Sequence, residues 1–296
     1  MTEGKKEQPA FVQLKKQSQF KEVWRRFKKN RLAVFGLIVI GSMILVAIFA
    51  DFIRPYEAAI SMNVRERLSH PSSTFWFGTD GFGRDVFARI IHGARASLFI
   101  SFSTSFIAMV FGGALGMLAA FYGNKTDNSI MRVLDVFSAI PPVLLALTIV
   151  AALGNSIFNL IIALTISRVA AFARIIRSSV LTITDQEYIE AARAGGTSDL
   201  RIMFRHILPN AIAPLIVQTT MNVSAMILQT AALSFLGLGI AAPRPEWGGM
   251  ISEAREFMRV RPLLLVFPGM SIVFASLSIN LLGDGLRDAL DPRLKT

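Results

Sequence analysis

The sequence predicts an all-α integral membrane protein with six transmembrane helices, and three observations carry that prediction. Of 296 residues, 53% are apolar and only 17% charged, too few charges to clothe one or two soluble domains of that total length. Five stretches carry no charge at all: Leu32 to Ala50, Ala96 to Asn124, Val136 to Ser167, Ala211 to Ala242 and Leu263 to Gly283. About 20 helical residues cross the ~30 Å hydrocarbon core. The third stretch is too long for one crossing, and Gly154, Asn155 and Ser156 divide it into a tight helical hairpin. The third observation is an uneven distribution of cations along a chain of net charge +11.

The expected spans are 32–53, 97–122, 133–153, 157–176, 211–239 and 263–282. Six is even, so both termini share a side. Lys and Arg number ten before residue 32, two in 123–132, five in 173–210 and three after 283, against six in 54–95 and four in 240–262. Twenty against ten places both termini in the cytoplasm, in a multi-pass protein of the cell membrane. The resulting division is a basic N-terminal segment 1–31, a first span 32–53, an extracytoplasmic loop 54–95, a five-helix core 96–283 and a cytoplasmic tail 284–296. The basic excess belongs to this topology and to anionic lipid beside the leader, and nucleic-acid binding is excluded as its purpose.

Along the chain, Phe20, Val23, Trp24 and Phe27 repeat at helical spacing among Lys21, Arg25 and Lys28. That pattern predicts an amphipathic helix at the inner interface. The first span lacks a small-x-small site before Asp51 and is expected to stay as an anchor. The loop 54–95 mixes Glu57, Glu66, Asp80 and Asp85 with six Arg, and 240–262 sets Glu246, Glu253 and Glu256 beside Trp247 among four Arg. Such mixed surfaces suit a transient external partner or solvated capping loops. Gly112 and Gly116 have the spacing of a close helix contact on the second span. Pro141 and Pro142 should bend the third. Asp135, Arg168 and Arg174 are costly in or near hydrocarbon and need partners. Folding the third and fourth spans about Asn155 brings Asp135 to the depth of Arg174, so these two are expected to pair. On the fifth span Gln218, Asn222 and Gln229 fall within about 40 degrees of one another at 100 degrees per residue. Uncharged amides on one face can line a passage for peptide-like solutes or hydrogen-bond neighbouring helices.

The segment 173–210 is the longest interhelical connection on the inner side and is internally patterned. Thr184 with Glu187 three residues later reads as a capping box for a short helix through Tyr188, Glu190, Ala191 and Ala192 to Gly195 and Gly196. A second helix is expected from Thr197 or Ser198, with Leu200, Met203, Phe204 and Ile207 on one face, Arg201 and Arg205 elsewhere, and Pro209 as its end. Tyr188, Ala191, Ala192 and Gly195 form a small-sided stripe open to close approach by another protein. The same segment could instead be a plain connector. A DNA-reading helix-turn-helix is disfavoured, because both ends are tied to membrane spans.

Chemistry is narrowed by what is missing. With no Cys, a disulfide framework, a thiolate metal site and a catalytic thiol are excluded. His70, His92 and His206 are far apart, so no metal site is expected. There is no GxxxxGK[ST] loop, the nearest fragment being Gly123-Asn124-Lys125-Thr126. No HExxH, GxSxG or paired membrane aspartate is found, so neither ATP hydrolysis nor intramembrane catalysis is expected of this chain. A self-sufficient channel or secondary transporter is the rival reading, weakened by the scarcity of carboxylates within the spans.

Glu190-Ala191-Ala192, three residues, Gly196 and then Leu208-Pro209 resemble the EAA loop of ABC-type importer permeases. After nine intervening residues the general pattern has Ile where this chain has His206. The run from Arg205 to Asn210 nevertheless resembles the peptide and nickel branch of that family. Trp24 to Arg31, His70-Pro71, Phe77 to Asp80, Gly83 to Asp85, Gly93 to Arg95, Ser234 to Gly239 and Trp247-Gly248 extend the likeness over roughly residues 20 to 290. The nearest likeness is to the second, C-type permease of dipeptide or oligopeptide importers. The resemblance implies a type I importer-permease bundle contributing half of a translocation pathway, with a cytoplasmic coupling-helix loop. It also implies a homologous permease, two cytoplasmic ABC ATPases holding the ATP and Mg, and an external binding protein as partners. This chain itself would bind no cofactor. Dipeptide, longer peptide and nickel complex remain open as cargo.

Overall fold

The structure is a computed structural model that describes residues 19–290, with side chains from Lys21 onward. The basic leader before residue 19, the Phe20 side chain and the tail from 291 lie outside the described residues. Among the described residues there is no β-strand, only one isolated bridge between Thr79 and Asp85.

Helix α1 (Gln19–Phe27) precedes α2 (Arg31–Ile48), whose N-cap is Asn30, its side chain accepting from the Ala33 amide at 3.1 Å. The apolar stripe of α1 is used inside the protein: Phe27 is buried against Ala33 and Ala289, with Val23 and Leu286 beside it. Trp24 stays exposed. The expected interfacial helix is therefore docked on the C-terminal end of the last span. Short helices α3 (Ala50–Ile53) and α4 (Tyr56–Ile60) lead into the outer loop.

Helix α5 (Val86–Tyr122) starts eleven residues earlier than the expected span, because Asp85 caps it by accepting from the Phe87 and Ala88 amides at 2.9 and 3.2 Å. It packs along α8 (Ile157–Thr184), which likewise outruns its expected end at 176. Gly112 and Gly116 sit at that crossing: a Cβ at Gly112 would come within 2.6 Å of the Val169 carbonyl oxygen and Phe172 Cβ, and one at Gly116 would strike the Ala173 carbonyl. Two helix backbones touch there, which any larger side chain prevents.

Between them lie α6 (Asn124–Ser138) and α7 (Pro142–Leu153), inclined at 81° to each other. The expected third span 133–153 is thus two helices. Pro141 is extended (φ −52°, ψ 131°) and Pro142 opens α7, because a residue followed by proline is pushed out of the helical region. Five described helices are long and apolar enough to cross a membrane, and this bent pair supplies a sixth crossing if counted as one. The hairpin to α8 turns at Gly154 (φ +88°). Ser156 caps α8 by accepting from the Asn159 amide at 3.1 Å, and the Asn159 side chain donates to the Leu153 and Gly154 carbonyls at 2.8 and 3.0 Å.

Two short helices follow, α9 (Glu187–Ala194) and α10 (Asp199–Ile202), then a π turn over Met203–Ile207 that runs directly into α11 (Leu208–Phe235). Helix α12 (Trp247–Ala254) lies in the outer loop, and α13 (Leu263–Leu290) packs on α2 and α11. At the first of these contacts Gly36 approaches the Ser278 carbonyl, where a Cβ would be 2.5 Å away.

The two outer segments are locked to each other. Arg84 and Arg89, both almost fully buried, share Asp80 and Glu253: Arg84 Nε donates to Asp80 at 2.7 Å, Arg89 donates to Glu253 at 2.9 Å, and Arg84 also pairs with Glu253. Trp247 is buried, donating from Nε1 to the Ile90 carbonyl at 3.1 Å. Glu246 caps α12 through the Gly248 and Gly249 amides and accepts from Ser97. Burial raises the Asp85 carboxyl above its ordinary range, opposed by the Ala88 amide, Arg54 and the Phe87 amide. Asp80, Asp85 and Glu253, expected as part of a solvated mixed surface, are instead internal to this cap. The charges pair within the chain because α5 carries Arg89 directly beneath the loop.

Candidate functional site

Helix α9 is an exposed plate on a buried anchor. Ile189, the one large aliphatic residue of Glu187–Ala194, is fully buried with Ile202, Met203 and Ile207 against Phe121 of α5 and Phe172, Ile176 and Val180 of α8. Arg193 lies over the Phe121 ring at 5.1 Å. Opposite that anchor Glu187, Tyr188, Glu190, Ala191 and Gly195 are exposed, with Ala192 half-buried. The plate is thus small-sided, acidic at its start and seated on apolar contacts to two long helices.

Its start differs from the expectation. Thr184 is the last residue of α8, its hydroxyl donating to the Leu181 carbonyl at 3.2 Å, and the α9 N-cap is Gln186 with no side-chain cap. The capping box does not form because α8 continues through the position the box requires. The end does match the glycine signal. The Thr197 amide donates to the Ala192 carbonyl at 3.1 Å and the Gly196 amide to the Arg193 carbonyl at 3.0 Å, with Gly196 at φ +75°. This pair of bonds closes a helix on a left-handed residue, which glycine adopts without strain.

The second helix also departs from its expected form. Pro209 does not end it: Pro209 stands in the first turn of α11, where proline removes an amide that needs no partner. Leu200 and Phe204 point outward, 65% and 62% exposed, while Met203 and Ile207 are buried. The π turn inserts an extra residue per turn and rotates the apolar face that strict 3.6 spacing predicts. Arg201 and Arg205 are exposed, His206 and Leu208 half-buried, and the His206 carbonyl accepts from the Asn210 side chain at 2.7 Å.

Of the three amides on α11, Asn222 and Gln229 are buried between helices. Asn222 donates to Ser105 Oγ of α5 at 3.0 Å, and Gln229 accepts from Arg168 Nη2 of α8 at 2.8 Å. Gln218 alone lines a cavity, of about 550 Å³, opening among Ile175, Asn210, Pro214, Met221 and Arg287. The three therefore do not share one open wall. The helix faces that a common periodicity aligns are separately occupied by α5, α8 and α13.

Arg174 and Asp135 meet at 2.8 Å, Arg174 also donating to Ser138 at 2.8 Å. Arg168 is not part of a charge cluster with them, because its partner is the Gln229 amide. A second pair escaped the sequence reading: Arg177 grips Asp127 with two bonds of 2.6 Å. With α8 expected to end at 176, Arg177 reads as a loop residue, and only the prolonged helix aims it at α6.

The geometry defines a class of protein: a helical membrane permease in which the loop between α8 and α11 forms a separate plate seated on two long helices. Residues 112–296 match the family model described as binding-protein-dependent transport system inner membrane component, and residues 18–71 match the N-terminal TM domain of oligopeptide transport permease C. The chain belongs to the family of binding-protein-dependent transport permeases of ABC importers. It is 48% identical to the dipeptide transport system permease protein DppC of Alkalihalophilus pseudofirmus over 279 residues, covering 94% of this chain and 91% of that one. It is 44% identical to the glutathione transport system permease protein GsiD of Escherichia coli O157:H7, covering 93% and 90%. In fold it is similar to a chain of the inward-facing MetNI methionine ABC transporter, with TM-score 0.57 and 19% identity, covering 69% of this chain and 97% of that one.

Proposed function

We propose that this chain is one of two permease halves of an ATP-driven importer for di- and oligopeptides. A homologous permease supplies the other half, two cytoplasmic ATPases hold the ATP and Mg, and an external binding protein delivers the solute. This chain holds no nucleotide, and the work of hydrolysis enters through its cytoplasmic loop. The observation that carries the reading is the α9 plate: an exposed face of Tyr188, Ala191 and Gly195, set at a fixed angle by Gly196 and anchored by Ile189 on α5 and α8. A push on such a plate moves two long helices rather than a slack loop. The exposed charges around it include Glu187, Glu190, Arg193, Arg201 and Arg205. Peptide cargo is supported by the relatives named for dipeptide and glutathione transport, since glutathione is itself a tripeptide.

The test is to tag the C-terminus, extract the chain gently from its membrane and identify what copurifies. A homologous permease with ATP-binding subunits, lost on replacing Glu190 and Gly196, is the expected result. Recovery of this chain alone, moving solute in liposomes without ATP, refutes it. Both termini are assigned to the cytoplasm. Because the natural chain has no Cys, single cysteines report topology cleanly: an impermeant maleimide added outside should label Ser73→Cys and leave Ser198→Cys untouched, and the opposite pattern inverts the assignment.

A further inference from the structure

Arg168 is an intramembrane cation without an anion. Arg95 pairs with Asp51, Arg174 with Asp135 and Arg177 with Asp127, whereas among the described residues no carboxylate lies within 4.0 Å of Arg168. It stands eleven residues into α8 and Gln229 six residues from the end of α11, about 16 and 9 Å below the outer helix ends at 1.5 Å per residue. Both therefore stand well inside their helices rather than at the ends. The guanidinium uses Nη2 on the Gln229 carbonyl oxygen at 2.8 Å, while Arg168 Nε and Gln229 Nε2 are buried with no hydrogen-bond partner. Thr165, one turn before Arg168, and Thr230, next to Gln229, carry buried hydroxyls that also lack partners. All four unspent groups can donate, the two hydroxyls being able to accept as well.

Joining α8 to α11 does not explain this arrangement. The same bundle joins helices with uncharged pairs, Asn222 to Ser105 and Ser224 to Ser276, at far lower desolvation cost than an arginine. A guanidinium with free donors fits a planar carboxylate, which it binds through two parallel bonds. Arg168 is only half-buried, so part of its side chain remains exposed. Every unmodified linear peptide presents a C-terminal carboxylate that must leave water to cross.

We propose that Arg168, oriented by Gln229, is the counter-ion for the C-terminal carboxylate of a peptide crossing the bundle. The inference rests on the peptide reading above. It is tested in the complete transporter, reconstituted with its binding protein, using radiolabelled trialanine and trialanine amide. Gln229→Glu places a carboxylate against Arg168: it strengthens a merely structural link but occupies a counter-ion. The expected result is at least a tenfold loss of trialanine uptake in Gln229→Glu and Arg168→Gln, with Arg168→Lys retaining more than a third and partner subunits still copurifying. Amide uptake should change less than twofold, and where the wild type moves too little amide to compare, the trialanine results decide. Retained trialanine uptake in Gln229→Glu, or equal behaviour of the Lys and Gln variants at Arg168, overturns the counter-ion role while leaving the peptide reading intact. A wild-type transporter that moves neither peptide overturns the peptide reading, and this inference with it.

Discussion

Gly116→Ala is the most direct probe of how this bundle is held together. The added Cβ would strike the Ala173 carbonyl oxygen and Ile176 Cγ2 and would come within 2.9 Å of the Ala173 carbonyl carbon. A backbone carbonyl cannot swing aside as a side chain can, so relief requires α8 to retreat by roughly 1 Å to restore ordinary carbon contacts. Retreat would also open the close contact one turn away, where Gly112 faces Phe172 and Val169, and forfeit its packing. Overpacking of this kind costs about 1–3 kcal/mol. Gly41→Ala is the control: it lies in α2 with nothing within 4 Å of its Cβ, and Ala in a helix interior is about 0.5–1 kcal/mol better than Gly. Gly116 is also inside a helix, so the propensity gain is common to both, and the two variants should differ by the overpacking cost, about 1–3 kcal/mol. Thermal unfolding of the purified transporter in nanodiscs of one lipid composition reads the difference. Gly116→Ala should melt below wild type and Gly41→Ala at or above it. If Gly116→Ala melts at or above the Gly41→Ala midpoint, the backbone-to-backbone crossing of α5 and α8 is not what the contacts describe. Because α8 also forms the seat of Ile189, peptide uptake should fall with stability.

Three further outcomes are expected. At Gly196, where φ is +75° and a Cβ meets nothing within 4 Å, backbone conformation alone sets the penalty, about 1–2 kcal/mol for an ordinary residue. Uptake at equal protein level should fall in the order Gly, Asn, Ala, Val, whereas full activity of the Val variant removes the hinge from the coupling path. Glu253→Leu leaves the buried Arg84 and Arg89 with Asp80 alone, a loss of about 2–4 kcal/mol for a partly buried network. It should make the outer loop protease-sensitive, and unchanged digestion refutes the lock. Reversing either partner of the Asp127–Arg177 pair should lower folded yield and reversing both should recover it. No recovery would mean that the two 2.6 Å bonds do not hold α6 to α8.

Much of this was legible in the residues because it is local. Uncharged runs, the Gly154 to Ser156 break, the paired prolines and the Gly112 and Gly116 spacing depend on nothing beyond their own helix or turn. So does the glycine that closes α9, since a left-handed residue is needed wherever that helix stops. The Asp135–Arg174 pair was reachable by folding two spans about a known turn. Elsewhere the same reasoning misplaced an edge or a face. The helix bounds expected at 97 and 176 moved to 86 and 184 because capping and packing extended α5 and α8 past their apolar windows. Leu200 and Phe204 turned outward because one π turn broke the period on which their alignment rests. Ile189 was missed, although a lone large aliphatic residue in a short helix is a signal that could have found it.

The sequence by itself determined that the chain is helical, lies in a membrane and carries a patterned loop between two of its spans, since hydropathy, charge and glycine act over a few residues whatever surrounds them. Tertiary structure alone decided which donors meet which acceptors. That Asn222 reaches Ser105, that Arg168 reaches an amide rather than an acid, and that Asp80 and Glu253 share two buried arginines follows from the angles and offsets at which helices cross. Those are set by contacts between residues tens to more than a hundred positions apart, and no local pattern encodes them.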